Sequence, residues 1–281
     1  ISGSSIKAGL FVSKSSSAGK HVWTKAVTKR FVDSLNVGSI AVSASGDIAV
    51  TGSFSQPELD FGGGALLKQL GTQANMFVVV FDSAGRHRWS RRFGQQSIHY
   101  SSVEMKGVTV DGKGNVTVYG RFSGWLEIWG KKLQSKSYDW AWFSAHFDAS
   151  GKTQWARVLA DMSSYATTPS FEKIAVDTHG NPLLIGNFTG LLEKLGTTPL
   201  KAAGGNDIVL VKLSKTDGSL LWSKSFGSVD DDYGYALQVA ANGDILLGGS
   251  FSGRLDLGGG VLLSVGRQDM LAVRLTADGK H

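Results

Sequence analysis

The chain has 281 residues, of which 42% are hydrophobic, enough for one large all-β domain or two smaller domains. The absence of cysteine excludes disulfides, thiolate metal sites and cysteine nucleophiles. The 29 Lys and Arg exceed the 23 Asp and Glu to give a net charge of +6, a weak preference for acidic surfaces that does not indicate nucleic-acid binding. No apolar stretch approaches the roughly 20 residues that a membrane span needs.

In chain order, the first predicted element is a short strand at 10–14. A set of four strands follows at 40–44, 47–54, 76–82 and 87–93. These runs are bounded by Gly, Asp, Asn and Ser, as expected for antiparallel hairpins. Three similar sets begin near Val108, Ile174 and Leu237, and no helical periodicity interrupts them. The sequence therefore predicts an all-β fold.

Three markers repeat along the chain: a glycine four residues before a tryptophan, two glycines six residues apart around an apolar run, and a Phe-Ser or Phe-Thr pair. The tryptophans, spaced by 66, 66 and 67 residues, are Trp23, Trp89, Trp155 and Trp222. The second glycines of the pairs are Gly52, Gly120, Gly186 and Gly249. We expect the tryptophans to fill gaps between sheets and these glycines to lie where a neighbouring group approaches closely.

A cation stands two residues after each tryptophan: Lys25, Arg91, Arg157 and Lys224. Strand alternation puts it on the same face as the ring, where its aliphatic stem can pack. Because each repeat uses these residues, we interpret them as structural.

A four-stranded unit with an apolar face needs neighbours to cover it, and radial repetition supplies them. The sequence therefore predicts a β-propeller with about four four-stranded antiparallel blades, with a stacked β-solenoid as the main alternative. We expect a single domain, 1–281, with repeats at about 20–85, 86–151, 152–218 and 219–281 and an extra strand segment at 1–19. Two arrangements stay open: the Trp23 strand completes the last sheet, or the chain is a window on a larger propeller.

The pattern resembles bacterial β-propeller repeat proteins that are common among surface and secreted proteins of myxobacteria and their relatives. The matching phrases are Gly249 to Gly260, a weaker copy from Gly52 to Gly64, and Phe81 to Gly85 leading to Trp89. A more distant similarity links it to quinoprotein-type blades and outer-membrane assembly propellers. The resemblance implies the fold and a secreted, periplasmic or cell-surface location, but no reaction. Because the chain starts at Ile1, we expect a processed protein or a piece of a longer one.

The sequence contains no Gly-x-Ser-x-Gly elbow, no HExxH motif and no phosphate-binding loop, and its six histidines show no metal-ligand spacing. We therefore expect no catalytic residue and no cofactor. The weak candidates for a metal site are Asp230, Asp231 and Asp232, but EF-hand spacing is absent and a solvated turn is the favoured interpretation. The basic cluster from Arg86 to Arg92 is split across both sheet faces, which favours a solvated edge over an anion site.

The second repeat is unusually aromatic: Trp125, Trp129, Tyr138, Trp140 and Trp142. Trp125 occupies a variable position that we expect to face solvent, whereas Trp129 matches apolar residues of the other repeats and is expected to pack. The segment 139–147 is two residues longer than its counterparts, which predicts a bulge that presents aromatic side chains. Repacking of a divergent blade is the alternative explanation.

The sequence favours an exported, non-enzymatic module that binds a protein or a glycan, such as an adhesin or scaffold segment. Its predicted ligand-binding residues are Trp125, Tyr138 and Trp140. One alternative is a fragment of a cofactor-dependent oxidoreductase or hydrolase. Another is a self-associating spacer in a filament or surface layer. Nucleic acid is not expected as a partner, and no membrane span is expected.

Overall fold

The computed structural model describes residues 10–27, 35–55, 58–67, 75–94, 102–136, 139–161, 169–192, 195 and 199–281. Within these ranges the chain forms β-strands and contains no α-helix, which confirms the all-β prediction. It follows that no helix in the described part of the chain is long and apolar enough to cross a membrane.

The chain begins with an antiparallel strand pair, β1 (Leu10–Ser15) and β2 (His21–Val27). The first blade has β3 (Leu35–Val42), β4 (Ile48–Phe54), β7 (Asn75–Phe81) and β8 (His87–Phe93), with a small hairpin of β5 (Glu58–Asp60) and β6 (Ala65–Leu67) between its second and third strands. The second blade has β9 (Val103–Val110), β10 (Val116–Ser123), β13 (Trp140–Phe147) and β14 (Thr153–Asp161), with the hairpin of β11 (Trp125–Ile128) and β12 (Lys131–Gln134).

The third blade has β15 (Ser170–Val176), β16 (Pro182–Phe188), β19 (Asp207–Leu213) and β20 (Leu220–Phe226), with the hairpin of β17 (Leu191–Leu192) and β18 (Leu200–Lys201). The fourth blade has β21 (Tyr233–Val239), β22 (Ile245–Phe251) and β25 (Asp269–Leu275), with the hairpin of β23 (Arg254–Asp256) and β24 (Val261–Leu263). All these strand pairs are antiparallel, and the predicted strands of the first repeat are confirmed within a few residues.

The sheets pack face to face in chain order, with one apolar cluster between each sheet and the next. The inner strands make a series of contacts in which β3 meets β9, β9 meets β15, and β15 meets β21. A sheet with apolar residues on both faces needs a neighbouring sheet on each side. When the sheets pack face to face with their first strands adjacent, each sheet covers its neighbours. This is the arrangement of blades in a β-propeller, as the repeat predicted.

The repeated tryptophans join consecutive units. The Trp89 and Trp155 side chains are each 4% exposed, which confirms their predicted burial between sheets. The Trp89 indole donates its Nε1–H to the carbonyl of Ala149 at 3.1 Å. A Cβ atom on Gly151 would lie 2.6 Å from the Trp89 ring, so the turn of the next blade needs glycine there. Gly85, Gly151 and Gly218 of the Gly-x-x-x-Trp markers thus each receive the tryptophan of the preceding unit.

The cations after the tryptophans also reach the next unit. The Arg91 Nε donates to the Gly151 carbonyl at 3.1 Å, and the Arg157 Nε donates to the Asp217 carbonyl at 2.6 Å. These contacts support the structural interpretation of the two arginines.

The strand glycines lie opposite a β-bulge in the first strand of each blade. A Cβ atom on Gly120 would lie 2.2 Å from the Glu104 carbonyl oxygen, and one on Gly186 would lie 1.9 Å from that of Ser170. A Cβ atom on Gly52 or on Gly249 would lie 2.1 or 1.9 Å from the corresponding carbonyl oxygen of the same blade. Their predicted equivalence and close approach are confirmed, because the bulge pushes a carbonyl into the space of a side chain.

One predicted closure of the ring is wrong. The strand that contains Trp23 pairs with β1, from Leu10↔Val27 to Ser15↔His21, and not with the fourth blade. The early strand at 10–14 is its natural partner because the two form a hairpin across a turn in which the Gly19 amide donates to Ser16.

Candidate functional site

The four small hairpins lie at the same rim of the blades, because each connects a second strand to a third. The second residue of each first hairpin strand is buried in the core: Leu59, Leu126, Leu192 and Leu255. The residue before it points outward and is exposed in every hairpin. The exposed positions are therefore free to differ in chemistry between blades.

The hairpin of the second blade presents two tryptophans at this rim. The Trp125 side chain is 44% exposed, as predicted, and the Trp129 side chain is 54% exposed. Between them in the sequence, Glu127 is half-buried and pairs with Lys132 on β12. Trp125 itself pairs with Gln134. Two indoles and several polar groups thus lie along one short hairpin, which we call the tryptophan hairpin (residues 125–134).

The prediction that Trp129 packs in the core is wrong, and the length of the turn explains the error. In the first and fourth blades four residues join the hairpin strands, and Phe61 and Leu257 fold back to be 6% and 7% exposed. In the second blade only Trp129 and Gly130 join Ile128 to Lys131. Trp129 is therefore a turn residue, and its side chain projects from the hairpin.

The backbone at Trp129 is strained. Its φ is 46°, and within the described residues no other non-glycine residue has a positive φ. Gly130 follows with φ 82°, so both turn residues are left-handed, a turn that normally prefers Asn-Gly. A left-handed conformation costs a bulky residue on the order of 1–2 kcal/mol.

Contacts with the first blade hold the Trp129 ring in place. The Arg91 guanidinium lies 4.6 Å from the ring centroid, and the Trp129 Nε1–H donates to the Arg92 carbonyl at 3.0 Å. Gly94, which follows β8, forms a β-bridge with Glu127. The tryptophan hairpin is thus anchored to the neighbouring blade, which limits the entropy that a bound ligand would have to remove.

Trp140, the first residue of β13, lies close to the start of the tryptophan hairpin. It pairs with Ser123, two residues before Trp125. Its ring is half-buried, and the Arg121 guanidinium lies 4.6 Å from the centroid. The predicted bulge in this segment is wrong: β13 pairs continuously with β10, and the irregularities lie on the β14 side. The predicted ligand-binding residue Tyr138 lies outside the described residues.

A charged pair that sequence reasoning missed lies beside Trp140. Arg121 donates to both oxygens of Glu104, from Nε at 2.9 Å and from the terminal nitrogen at 3.0 Å. The hydrogen bond from Arg121 is the main reason that the pKa of Glu104 is lowered, and Lys106 adds a 2.8 Å ion pair. The equivalent paired positions in the other blades carry uncharged residues: Asn36 with Ser53, Ser170 with Asn187, and Tyr233 with Ser250.

Lys106 is the extra residue of the β9 bulge, and its side chain is exposed. Glu104, Met105 and Lys106 line one wall of a cleft of about 250 Å³ between the first two blades. Asn36, Gly38 and Ser53 are among the residues that line the opposite side. The cleft therefore combines apolar, amide, hydroxyl and charged groups.

In the Asp230 to Asp232 segment, Asp230 and Asp231 are exposed, as expected of a solvated turn, whereas Asp232 is buried. Asp232 is 0% exposed and accepts the Ser228 amide at 2.7 Å, and burial raises its pKa. Asp231 accepts the amide and side-chain nitrogens of Asn206, and these bonds lower its pKa. Among the described residues, no group of three or more His, Asp and Glu is arranged to hold a metal ion.

The basic cluster from Arg86 to Arg92 does not form a joint anion site. Arg86 pairs with Asp82 at 2.7 Å and Arg88 pairs with Asp47 at 3.1 Å. Arg92 donates to the Asn75 side chain at 3.2 Å. These guanidinium groups therefore serve separate structural contacts.

No family model and no curated protein matches the sequence. Among solved structures, a levansucrase mutant from B. megaterium is 8% identical with a TM-score of 0.38, over 95% of this chain and 73% of that one. The calcium-binding protein regucalcin from Agrobacterium tumefaciens is 14% identical with a TM-score of 0.34, over 88% and 72% of the two chains. A luciferin-regenerating enzyme is 9% identical with a TM-score of 0.26, over 76% and 83%. Similarities this low carry no argument about function.

Proposed function

We propose that the chain is a glycan-binding module whose binding surface is the tryptophan hairpin together with Trp140 and the Glu104–Arg121 pair. One observation carries the proposal: this hairpin alone among the four described exposes two tryptophans, one of them in a strained backbone. Strain of this kind persists where it serves a function, because packing alone would favour a less costly residue.

The chemistry of these groups suits a sugar. Indole faces contact the apolar faces of sugar rings with a large area and little loss of side-chain entropy. Trp125 begins β11 and Trp129 follows its last residue, so at about 3.3 Å per residue their Cα atoms lie up to about 13 Å apart, enough for the two indoles to contact different units of an oligosaccharide. Between and beside them, Glu127, Lys132 and Gln134 offer donors and acceptors for hydroxyl groups.

The proposal includes an exported, non-enzymatic role, which rests on the resemblance to bacterial surface propellers and on the lack of a catalytic motif. A hydrolase is the alternative to be tested. Among the described residues that line the cleft, Glu104 is the single carboxylate, whereas glycoside hydrolysis commonly uses two. Incubation of the purified protein with oligosaccharides, followed by detection of new reducing ends, distinguishes turnover from binding.

A glycan array tests the binding proposal with Trp125→Ala, Trp129→Asn and Trp140→Ala variants. Trp129→Asn is informative because relief of about 1–2 kcal/mol of strain opposes the loss of an indole hydrogen bond and a cation–π contact, together of similar size. The fold should therefore melt near the wild-type temperature while binding falls at least about tenfold. Leu191→Ala and Arg254→Ala, exposed positions of the third and fourth hairpins, are the matched controls.

Binding that survives all three tryptophan substitutions would refute the proposed surface. The glycan proposal would also be refuted if no glycan bound and a protein ligand were captured that the Trp129→Asn variant no longer binds. The surface would then recognise protein. The third candidate function, a spacer in a filament or surface layer, predicts that the purified protein forms polymers visible by electron microscopy.

A further inference from the structure

The β-bulge in the first strand of each blade adds one residue that the other strands lack. In blade order these residues are Gly38, Lys106, Glu172 and Tyr235. The first strands of consecutive blades are in contact, so the bulges occupy equivalent positions on neighbouring strands. Bulges often lie beside functional sites, where they re-aim a side chain. Lys106 is the one cation of this set, and its neighbour on the first blade is a glycine.

The absence of a side chain at Gly38 helps to open the cleft beside Lys106. A Cβ atom on Gly38 would lie 3.3 Å from the Met105 carbonyl oxygen, so a larger residue would fill space between the two strands. The amide of Asn36 and the hydroxyl of Ser53 line the same cleft. Its volume of about 250 Å³ is below the roughly 300–1,000 Å³ of pockets for drug-sized ligands. The cleft therefore suits one group of a larger ligand.

The charged groups at this cleft are not balanced. Arg121 bonds both oxygens of Glu104, and the Lys106 ammonium lies 2.8 Å from one of the same oxygens. The hydrogen bond from Arg121 lowers the pKa of Glu104, which keeps this carboxylate ionised at neutral pH. One carboxylate thus serves two cations. The remaining positive charge is accessible, because the Lys106 side chain is 39% exposed.

The tryptophan hairpin has the same sign of charge. It carries the exposed Lys131 and Lys132 and a single carboxylate, Glu127, and neither lysine side chain forms an ion pair within the described part of the chain. The hairpin of the first blade, residues 58–67, carries Glu58 and Asp60 and no cation. The two hairpins therefore have opposite charge, and the positive one exposes the indoles.

We propose that the ligand of the second blade is an acidic glycan, whose carboxylate or sulfate group enters the cleft and binds Lys106. The inference rests on the proposed function, because the indoles of Trp125 and Trp140 contact the sugar rings. An acidic group would accept a charge-assisted hydrogen bond from the lysine, with Asn36 and Ser53 as further donors. Arg121 contacts both the Trp140 ring and Glu104, which connects the aromatic surface with the cleft.

Isothermal titration calorimetry with matched pairs of oligosaccharides tests the proposal. One pair is an oligogalacturonate and its methyl ester, which probes a carboxylate, and the other is a sulfated galactan oligosaccharide and its unsulfated form. We expect the acidic member of at least one pair to bind at least about tenfold more tightly, and the difference to shrink at high salt.

Lys106→Gln should reduce this preference to about threefold or less. Lys113→Gln, an exposed lysine in the turn between β9 and β10, is the matched control and should keep it. In NMR spectra, the acidic member should shift the backbone amide signals of Gly38, Gly52 and Lys106, which line the cleft, more than its neutral partner does.

Equal binding of acidic and neutral members, with binding lost in Trp125→Ala, would overturn the acidic preference and leave the glycan surface standing. A preference that Lys106→Gln does not reduce would overturn the role of the cleft. Equally tight binding of polyglutamate would also overturn the proposal, because the surface would then attract any polyanion. Failure of every oligosaccharide on the glycan array would instead refute the proposed function, and the inference with it.

Discussion

The inter-blade tryptophans are the packing feature on which stability depends most, and Trp155→Ala is the sharpest test of it. The Trp155 ring is 4% exposed, stacks on His146 with centroids 5.5 Å apart, and donates to the Lys215 carbonyl at 2.8 Å. An indole that buries about 200 Å² at about 25 cal/mol per Å² contributes roughly 5 kcal/mol. Because the site relaxes in part, we expect a loss of about 3–5 kcal/mol in the free energy of unfolding.

Urea denaturation followed by far-UV circular dichroism measures this loss, provided that the slope of the transition is unchanged. Trp155→Phe keeps a ring but loses the indole donor, so it should cost less than the alanine substitution. Trp125→Ala is the matched control, because its ring is 44% exposed and its loss should change stability by less than about 1 kcal/mol. A loss of under about 1 kcal/mol for Trp155→Ala would refute the packing argument.

Two further substitutions test the backbone and the buried charges. Gly120→Ala should destabilise by about 2 kcal/mol or more in urea, because the new Cβ would lie 2.2 Å from the Glu104 carbonyl oxygen, whereas Gly112→Ala, with no atom within 4 Å, should be nearly neutral. Asp207 is 2% exposed, one of its oxygens has no hydrogen-bond partner, and burial raises its pKa. Its contribution is therefore most favourable below the unfolded pKa and declines as pH rises through the folded pKa. Asp207→Asn, which copies Asn75 of the first blade, should stabilise by about 1 kcal/mol at pH 7, and a gain that does not shrink toward pH 3.5 would contradict this explanation.

Features repeated in every blade could be predicted from the sequence. The six-residue glycine step identified Gly52 and Gly120 because a backbone contact with no side-chain alternative leaves the same residue in each copy. The tryptophan spacing likewise identified the inter-blade contacts. What the sequence could not show is that each tryptophan meets the glycine of the next unit, because that depends on how the sheets stack.

Features unique to one blade were harder to predict. Trp129 aligns with buried residues, and the two-residue turn that turns it outward is evident only from the strand pairing. The Glu104–Arg121 pair joins residues 17 apart, and a bulge sets their register. Asp232 belongs to an acidic run that suggests solvent, yet backbone amides of the surrounding loops bury it. In each case the deciding contact involves residues that are distant in the sequence or that lie in a turn, a bulge or a loop.

The central claim is that exposed indoles of the second blade contact the ligand. Nitrogen-15 labelling of tryptophan allows each indole N–H to be followed by NMR while the best ligand from the glycan array is added. The account predicts that the Trp125 and Trp129 signals shift in a saturable way, while those of Trp89 and Trp155, buried between blades, stay in place. Saturable binding that leaves the Trp125 and Trp129 signals unchanged would contradict it.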